Sequence, residues 1–283
     1  MYSPQALATR FARRTTVVQY GTNPLSEAEM TKAAPSIFAD GKHNSRSKRY
    51  TYIPTIDVLR GLQKEGFEPF MVAQSKSRIE GKEHYTKHMI RMRHASQIQQ
   101  SGEATEIILI NSHDGASSYQ MLAGMFRYAC ANGLVVGDIL DDIRIPHKGN
   151  IEGEVIEGAF RVLDTFEQVQ EHTQSMKALQ LGQEEQRAFA EAAIALRFDG
   201  LTADTPAPVT ADQINTARRT EDLGSDLWTT FQRVQENVMR GGLPGRIRNG
   251  RRLQTRAVAG IDRSLSLNRA LWTLAEEMRK IKG

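Results

Sequence analysis

A single cysteine, Cys130, rules out an internal disulfide and a cysteine-based zinc motif, so the fold must stand on packing alone. No apolar run approaches the roughly 18 residues needed to cross a bilayer. The basic start MYSPQALATRFARR has no apolar segment behind it that would make it a secretion signal. These absences predict a cytoplasmic protein with no membrane association. The Walker loop, the dinucleotide fingerprint and the nucleophile elbow are missing too, so nucleotide-driven and redox chemistry have no residues to rest on and no cofactor is expected. No internal repeat is visible.

What is present is the composition of a globular protein: 283 residues, 40% hydrophobic and 25% charged, enough for one or two domains with a real core. The net charge is only +4, but it is unevenly spread. Residues 1–137 hold 17 Lys/Arg against 11 Asp/Glu, residues 138–200 hold 6 against 13, and residues 233–283 hold 12 against 4. Basic ends around an acidic middle suit a protein that meets nucleic acid with one face.

Periodicity predicts an α+β fold, a small antiparallel sheet packed on helices and followed by a mostly helical C-terminal region. Residues 1–50 read as an N-terminal arm broken by Pro4, Gly21, Pro24 and Pro35 and ending in the basic GKHNSRSKRY, with Lys48 and Arg49. Residues 51–150 read as the α+β core. Pro54 starts a helix over 54–65 that Gly66 closes in the left-handed conformation. PFMVAQSKSR and EHYTKHMIRMRH form a hairpin about the turn IEGK, and TEIILINSH adds a strand. A helix capped by Ser117 or Ser118 and ended by Gly133 then follows, from Leu122, Met125, Phe126, Ala129 and Cys130 at spacings of three and four. Residues 151–200 read as two long helices separated near Gly182. Residues 201–283 begin with the linker DGLTADTPAPVT, which starts at Asp199, and continue through a short helix, a helix over 225–239 with Trp228 and Phe231, a basic loop and a final helix striped by Leu267, Leu271, Leu274 and Met278.

That basic loop, RGGLPGRIRNGRRLQTR, carries six arginines (Arg240, Arg246, Arg248, Arg251, Arg252 and Arg256) without an acid or an aromatic. Glycines let its backbone come close to a ligand, and guanidinium groups suit phosphate oxygens in bidentate fashion. The plain alternative is a solvated connector. On the hairpin, alternation places Lys87, Arg91 and Arg93 on one face with Tyr85 and Met89, and Lys76 and Arg78 near the turn. Such a face tracks a phosphate backbone, with Tyr85 or Phe70 for stacking, or is simply the polar outside of a hairpin. His84 and His88, four apart on a strand, lie about 13 Å from each other, too far to share a metal, and no metal site is expected. Asn111, His113 and Asp114 gather polar groups at a strand end before a helix N-terminus; an Asx turn with Gly115 and helix capping explain them, and a general base or nuclease metal ligand is the chemical alternative.

INSHDGASSYQMLAGMFRYACANGLVVGD, LWTTFQRVQENVMRGGLPGR and RAVAGIDRSLSLNRALWTLAEEM together resemble the phage- and plasmid-borne proteins catalogued as domain of unknown function 932, from about Tyr50 onward. The resemblance implies a mobile-element setting and brings no catalytic residues. A second likeness is one of pattern: YIPTIDVLRGLQKEGFEPF, GKEHYTKHMIRMRH and RYACANGLVVG are similar in order to the helix, basic hairpin and closing helix of single-strand annealing proteins. It implies a homo-oligomer, as a ring, that binds single-stranded DNA and needs neither nucleotide nor catalytic residue. The leading expectation is therefore a strand-annealing nucleic-acid-binding protein. A metal-dependent nuclease and a protein-binding inhibitor of a host defence system are the alternatives.

Overall fold

The computed structural model describes residues 16–18, 22–44, 52–77, 79–98, 102–128, 132–136, 143–198, 200–202, 204–247 and 250–283. The chain divides into two compact units, Met1–Phe166 and Glu167–Gly283. The fold is α+β, so the helical stretch expected over 151–200 is shared between the units.

The first unit is built on an antiparallel meander. Strand β1 (Thr16–Val18) and helix α1 (Glu27–Ala33) lead to α2 (Thr55–Lys64), then β2 (Phe67–Gln74), β3 (His88–His94), β4 (Glu103–Asn111), β5 (Tyr119–Arg127), β6 (Asn132–Val135) and β7 (Ile143–Ile145). The strands pair in sequence order from β1 to β6, and β7 takes the remaining length of the outer edge of β5. Helix α2 forms where expected because Pro54 precedes its first turn, and Gly66, at φ 86°, turns the chain into β2. Its Ile56, Val58, Leu59 and Leu62 are buried. Pro69 has no N–H to give the ladder, and β2 is bulged between Pro69 and Met71. Helix α3 (Ile151–Leu163) packs on β4, β5 and β7, with Gly158 admitting Met121 and Ile143.

The helix expected from Ser117 to Gly133 is a strand pair in the described residues, with 129–131 outside them. β5 forms a register of eight residue pairs with β4, from Glu103↔Arg127 to Ile110↔Gln120. Met121 to Phe126 are all buried, so the run is apolar on both faces and carries no alternation to separate strand from helix. This removes the closing helix from the pattern shared with annealing proteins. The expected hairpin pairs as foreseen, but its strands stop at Gln74 and His88. The Thr86 hydroxyl donates to Ser75 O and Glu83 O, and Glu83–Tyr85 coil into a 3-10 turn.

The second unit is helical. Helix α4 (Phe166–Ala178) crosses into it, followed by α5 (Gln183–Arg197), α6 (Ala211–Ile214), α7 (Leu227–Arg240), the strands β8 (Pro244–Arg246) and β9 (Arg252–Gln254), and α8 (Ile261–Lys282). Three helices, not two, occupy 151–197. Besides the break near Gly182, one falls at Asp164–Thr165, where the Thr165 hydroxyl folds back onto Val162 O. Asp226 caps α7 through Thr229 N. Phe189, Trp228, Phe231 and Trp272 form the aromatic core, with ring centroids 5.5–6.5 Å apart.

Candidate nucleic-acid interface

The described residues of the arginine-rich segment form a hairpin. Gly241 ends α7 at φ 63°, and a Cβ there would lie 2.7 Å from the Arg256 carbonyl carbon, so glycine permits the close return of the chain. Gly242 N and Thr255 N then bond Thr255 O and Leu243 O at 2.8 and 2.9 Å. Pro244, Gly245 and Arg246 pair with Gln254, Leu253 and Arg252. Gly250, at φ 78°, closes the turn onto Ile247 O. Two three-residue strands are marginal alone, and outside bonds hold them here. Arg246 N donates to Pro208 O at 3.0 Å, Gln213 Nε2 to Pro244 O at 2.8 Å, and Arg197 Nη2 to Arg256 O at 2.8 Å.

This scaffold displays charge. Arg246, Arg251, Arg252 and Arg256 are exposed, and Arg246 faces Arg252 directly across the ladder, an arrangement of like charges that disfavours the hairpin. Arg251, Arg252 and Arg256 line an open pocket of about 560 Å³ with Phe198, Pro208, Ile247, Leu253, Gln254 and Thr255; among the described residues no carboxylate lines it. Arg240 points elsewhere, to Glu236 at 3.1 Å, a carboxylate it shares with Arg219. Arg248 lies outside the described residues, as do Lys48, Arg49 and Arg78.

The basic sheet face is not brought together. Arg91 and Arg93 are in the interior, both ion-paired to Glu106 of β4, and the Arg93 guanidinium stacks 4.2 Å from the Phe70 centroid and 4.7 Å from that of Phe126. Arg91 Nη2 also donates to Met125 O and Leu134 O at 3.1 and 2.8 Å. Lys76 is exposed and Lys87 half-buried, both in the loop between β2 and β3. One acid within the apolar run ATEIILIN was the available sign that a basic residue on the next strand is buried with it.

A second cluster of polar chemistry lies under the sheet. Gln74 Nε2 donates to Glu83 O, so Gln74 Oε1 accepts from Ser36 N and the Ser36 hydroxyl at 2.9 and 2.8 Å. With its hydrogen committed, Ser36 Oγ accepts from His88 Nδ1 at 2.9 Å, which leaves His88 Nε2 to accept from the Thr55 hydroxyl at 2.9 Å. Thr55 Oγ1 accepts in turn from Asn111 Nδ2 and His113 Nε2, at 3.0 and 3.1 Å. Every proton is thereby placed, and His113 Nδ1 remains a buried acceptor without a hydrogen-bond partner among the described residues. Burial above all, then the neighbouring His113, pushes His88 down to about 3; burial and His147 push His113 down to about 4. Both rings are neutral and shut from solvent. Asp114 accepts from Ala116 N at 2.9 Å, the Asx turn expected at this point, and pairs with Lys82 at 3.0 Å. No group of three His, Cys, Asp or Glu side chains among the described residues could hold a metal. No described helix is long and apolar enough to cross a membrane.

The sequence profile of a family described as domain of unknown function (DUF932) matches residues 42–272, a span that runs through both units. The chain is similar to the UPF0380 protein YafZ of Escherichia coli (strain K12), 48% identical over 272 residues that cover 96% of this chain and 97% of that one. It is similar to the UPF0380 protein YfjQ of the same strain, with the same identity and coverage. No solved structure matches the chain.

Proposed function

The chain belongs to the family of domain of unknown function 932, a name that carries no activity, and from its own side chains we propose that it binds nucleic acid through phosphate contacts at the β8–β9 hairpin. The observation that carries this reading is the set of exposed Arg246, Arg251, Arg252 and Arg256 on one short hairpin, the last three lining a pocket with no carboxylate among its described lining residues. Repulsion across the Arg246–Arg252 pair is relieved when phosphate oxygens come between them, and each guanidinium offers a bidentate edge to such an oxygen. Binding of this kind needs no nucleotide and no catalytic residue. Neutralising the phosphates of two strands while leaving their bases accessible lowers the barrier to pairing, which is the chemistry of strand annealing in a mobile-element setting.

Fluorescence anisotropy with labelled single- and double-stranded DNA across a salt series, without divalent ions, tests the reading. The full-length protein is expected to bind with a steep salt dependence. Replacing Arg246, Arg251, Arg252 and Arg256 by alanine is expected to weaken binding and to lower the slope of log K against log salt by about 3, at 0.7–0.9 per lost phosphate contact. Unchanged affinity and slope in that variant would dismiss the hairpin as the binding element.

A further inference from the structure

The pocket beside the hairpin is more than a charged surface. Its lining is in part apolar, with Phe198, Pro208, Ile247 and Leu253 beside Arg251, Arg252 and Arg256. At about 560 Å³ it is within the range of small-ligand sites, roughly 300–1,000 Å³. A surface that bound phosphate alone would have no use for apolar lining, because phosphate oxygens gain nothing from carbon. Phe198 is half-buried at the end of α5, and the Arg197 guanidinium stands 5.2 Å from its ring centroid. That guanidinium is fixed by its bonds to Val238 O and Arg256 O at 3.3 and 2.8 Å, so the ring is held against a stationary cation. Ile247 is 39% exposed, an apolar side chain left at the mouth between arginines.

We infer that this pocket receives one unpaired base of a single strand, stacked on Phe198, while Arg252 and Arg256 hold the flanking phosphates. In a duplex the faces of the bases are covered by their neighbours and their edges by their partners, so only an unpaired strand can offer a base to it. The inference rests on the phosphate-binding reading and adds to it the source of strand preference: arginines supply salt-dependent affinity for any nucleic acid, and the pocket discriminates single strand from duplex.

The test compares three labelled probes of equal length on the full-length protein: an ordinary single strand, a single strand in which every position is abasic, and a duplex. The wild-type protein is expected to bind the ordinary strand about five- to a hundredfold more tightly than the abasic one, the span of base stacking on one aromatic. Phe198→Ala is expected to lose that advantage while keeping its duplex affinity and salt slope, and Phe198→Tyr to retain it. Equal binding of the ordinary and abasic strands by the wild-type protein would overturn the base pocket and leave the phosphate reading standing. A Phe198→Ala variant that binds the ordinary strand as the wild type does would overturn the role of Phe198, and with it the pocket. Failure of all three probes to bind at low salt would overturn the phosphate reading itself. The wild-type comparison needs no variant to fold.

Discussion

Thr55 has one hydrogen to give, and the residues around it decide where it goes. Because Gln74 can only accept at Oε1, Ser36, His88, Thr55 and His113 form a chain with a single direction. The chain works only with the His88 imidazole neutral: a second proton on His88 would aim an N–H at the Thr55 hydroxyl and reverse every bond beyond it. Both histidines have folded pKa values below that of a free histidine, near 6.5, so below that pH the unfolded chain binds more protons than the folded one. Stability is therefore fully present above pH 6.5 and declines as the pH falls toward 4, by up to about 1.4 kcal/mol per pH unit for each histidine. Urea unfolding measured between pH 7 and pH 4 checks this, and His88→Asn is expected to flatten the decline. None of this was legible in the sequence. His88 and His113 were visible as residues, but Ser36, Thr55 and Gln74 come from three separate segments and share no spacing that announces their meeting.

At the level of elements, the helices and turns were readable where a chemical signal marks an end. Pro54 and Gly66 bound α2, and Gly241 closes α7 one residue beyond its expected end at 239. Gly133 of β6 was misread, and Gly124 of β5 gave no signal, because their purpose lies on another strand. Gly124 and Gly133 make room for the Arg91 guanidinium: a Cβ at Gly133 would stand 2.2 Å from its Nη1 and one at Gly124 would stand 2.8 Å from its Nη2. Arg91 cannot swing aside cheaply, since Glu106, Met125 O and Leu134 O hold it. Gly133→Ala is expected to cost about 1–3 kcal/mol, as overpacking does, and Gly133→Ala with Arg91→Met to recover most of it; chemical denaturation of the two variants measures the difference. In the sequence Gly133 looked like the stop of a helix, since a glycine that yields space to a distant arginine has the same letter as one that turns a chain. The arginine hairpin, by contrast, was legible as a charged segment but not as a strand pair. Phe198, 42 residues before Arg240, was not legible as part of its site at all.

For the molecule as a whole, the two units carry separate cores, and both tryptophans, Trp228 and Trp272, belong to the second. Tryptophan emission therefore reports the helical unit, while the seven-stranded sheet lies wholly in the first. Glu106→Gln leaves Arg91 and Arg93 buried without a counter-charge and is expected to destabilise the first unit by about 3–5 kcal/mol. Circular dichroism should then show an early transition at lower urea while the tryptophan transition keeps its midpoint; a joint shift of both would mean that the units unfold as one. Charge distribution is the large-scale property that the sequence displayed best, because it is additive. Of the 12 basic residues in 233–283, five fall within 246–256.

A hairpin of two three-residue strands depends on its outside bonds to stay closed, and this one presents arginines at its surface. Trypsin cleaves after arginine, so the segment that holds the strand is also a ready-made protease target. Ligand and enzyme then compete for the same side chains: cleavage within 246–256 becomes a clock that runs in the free protein and slows as the site fills.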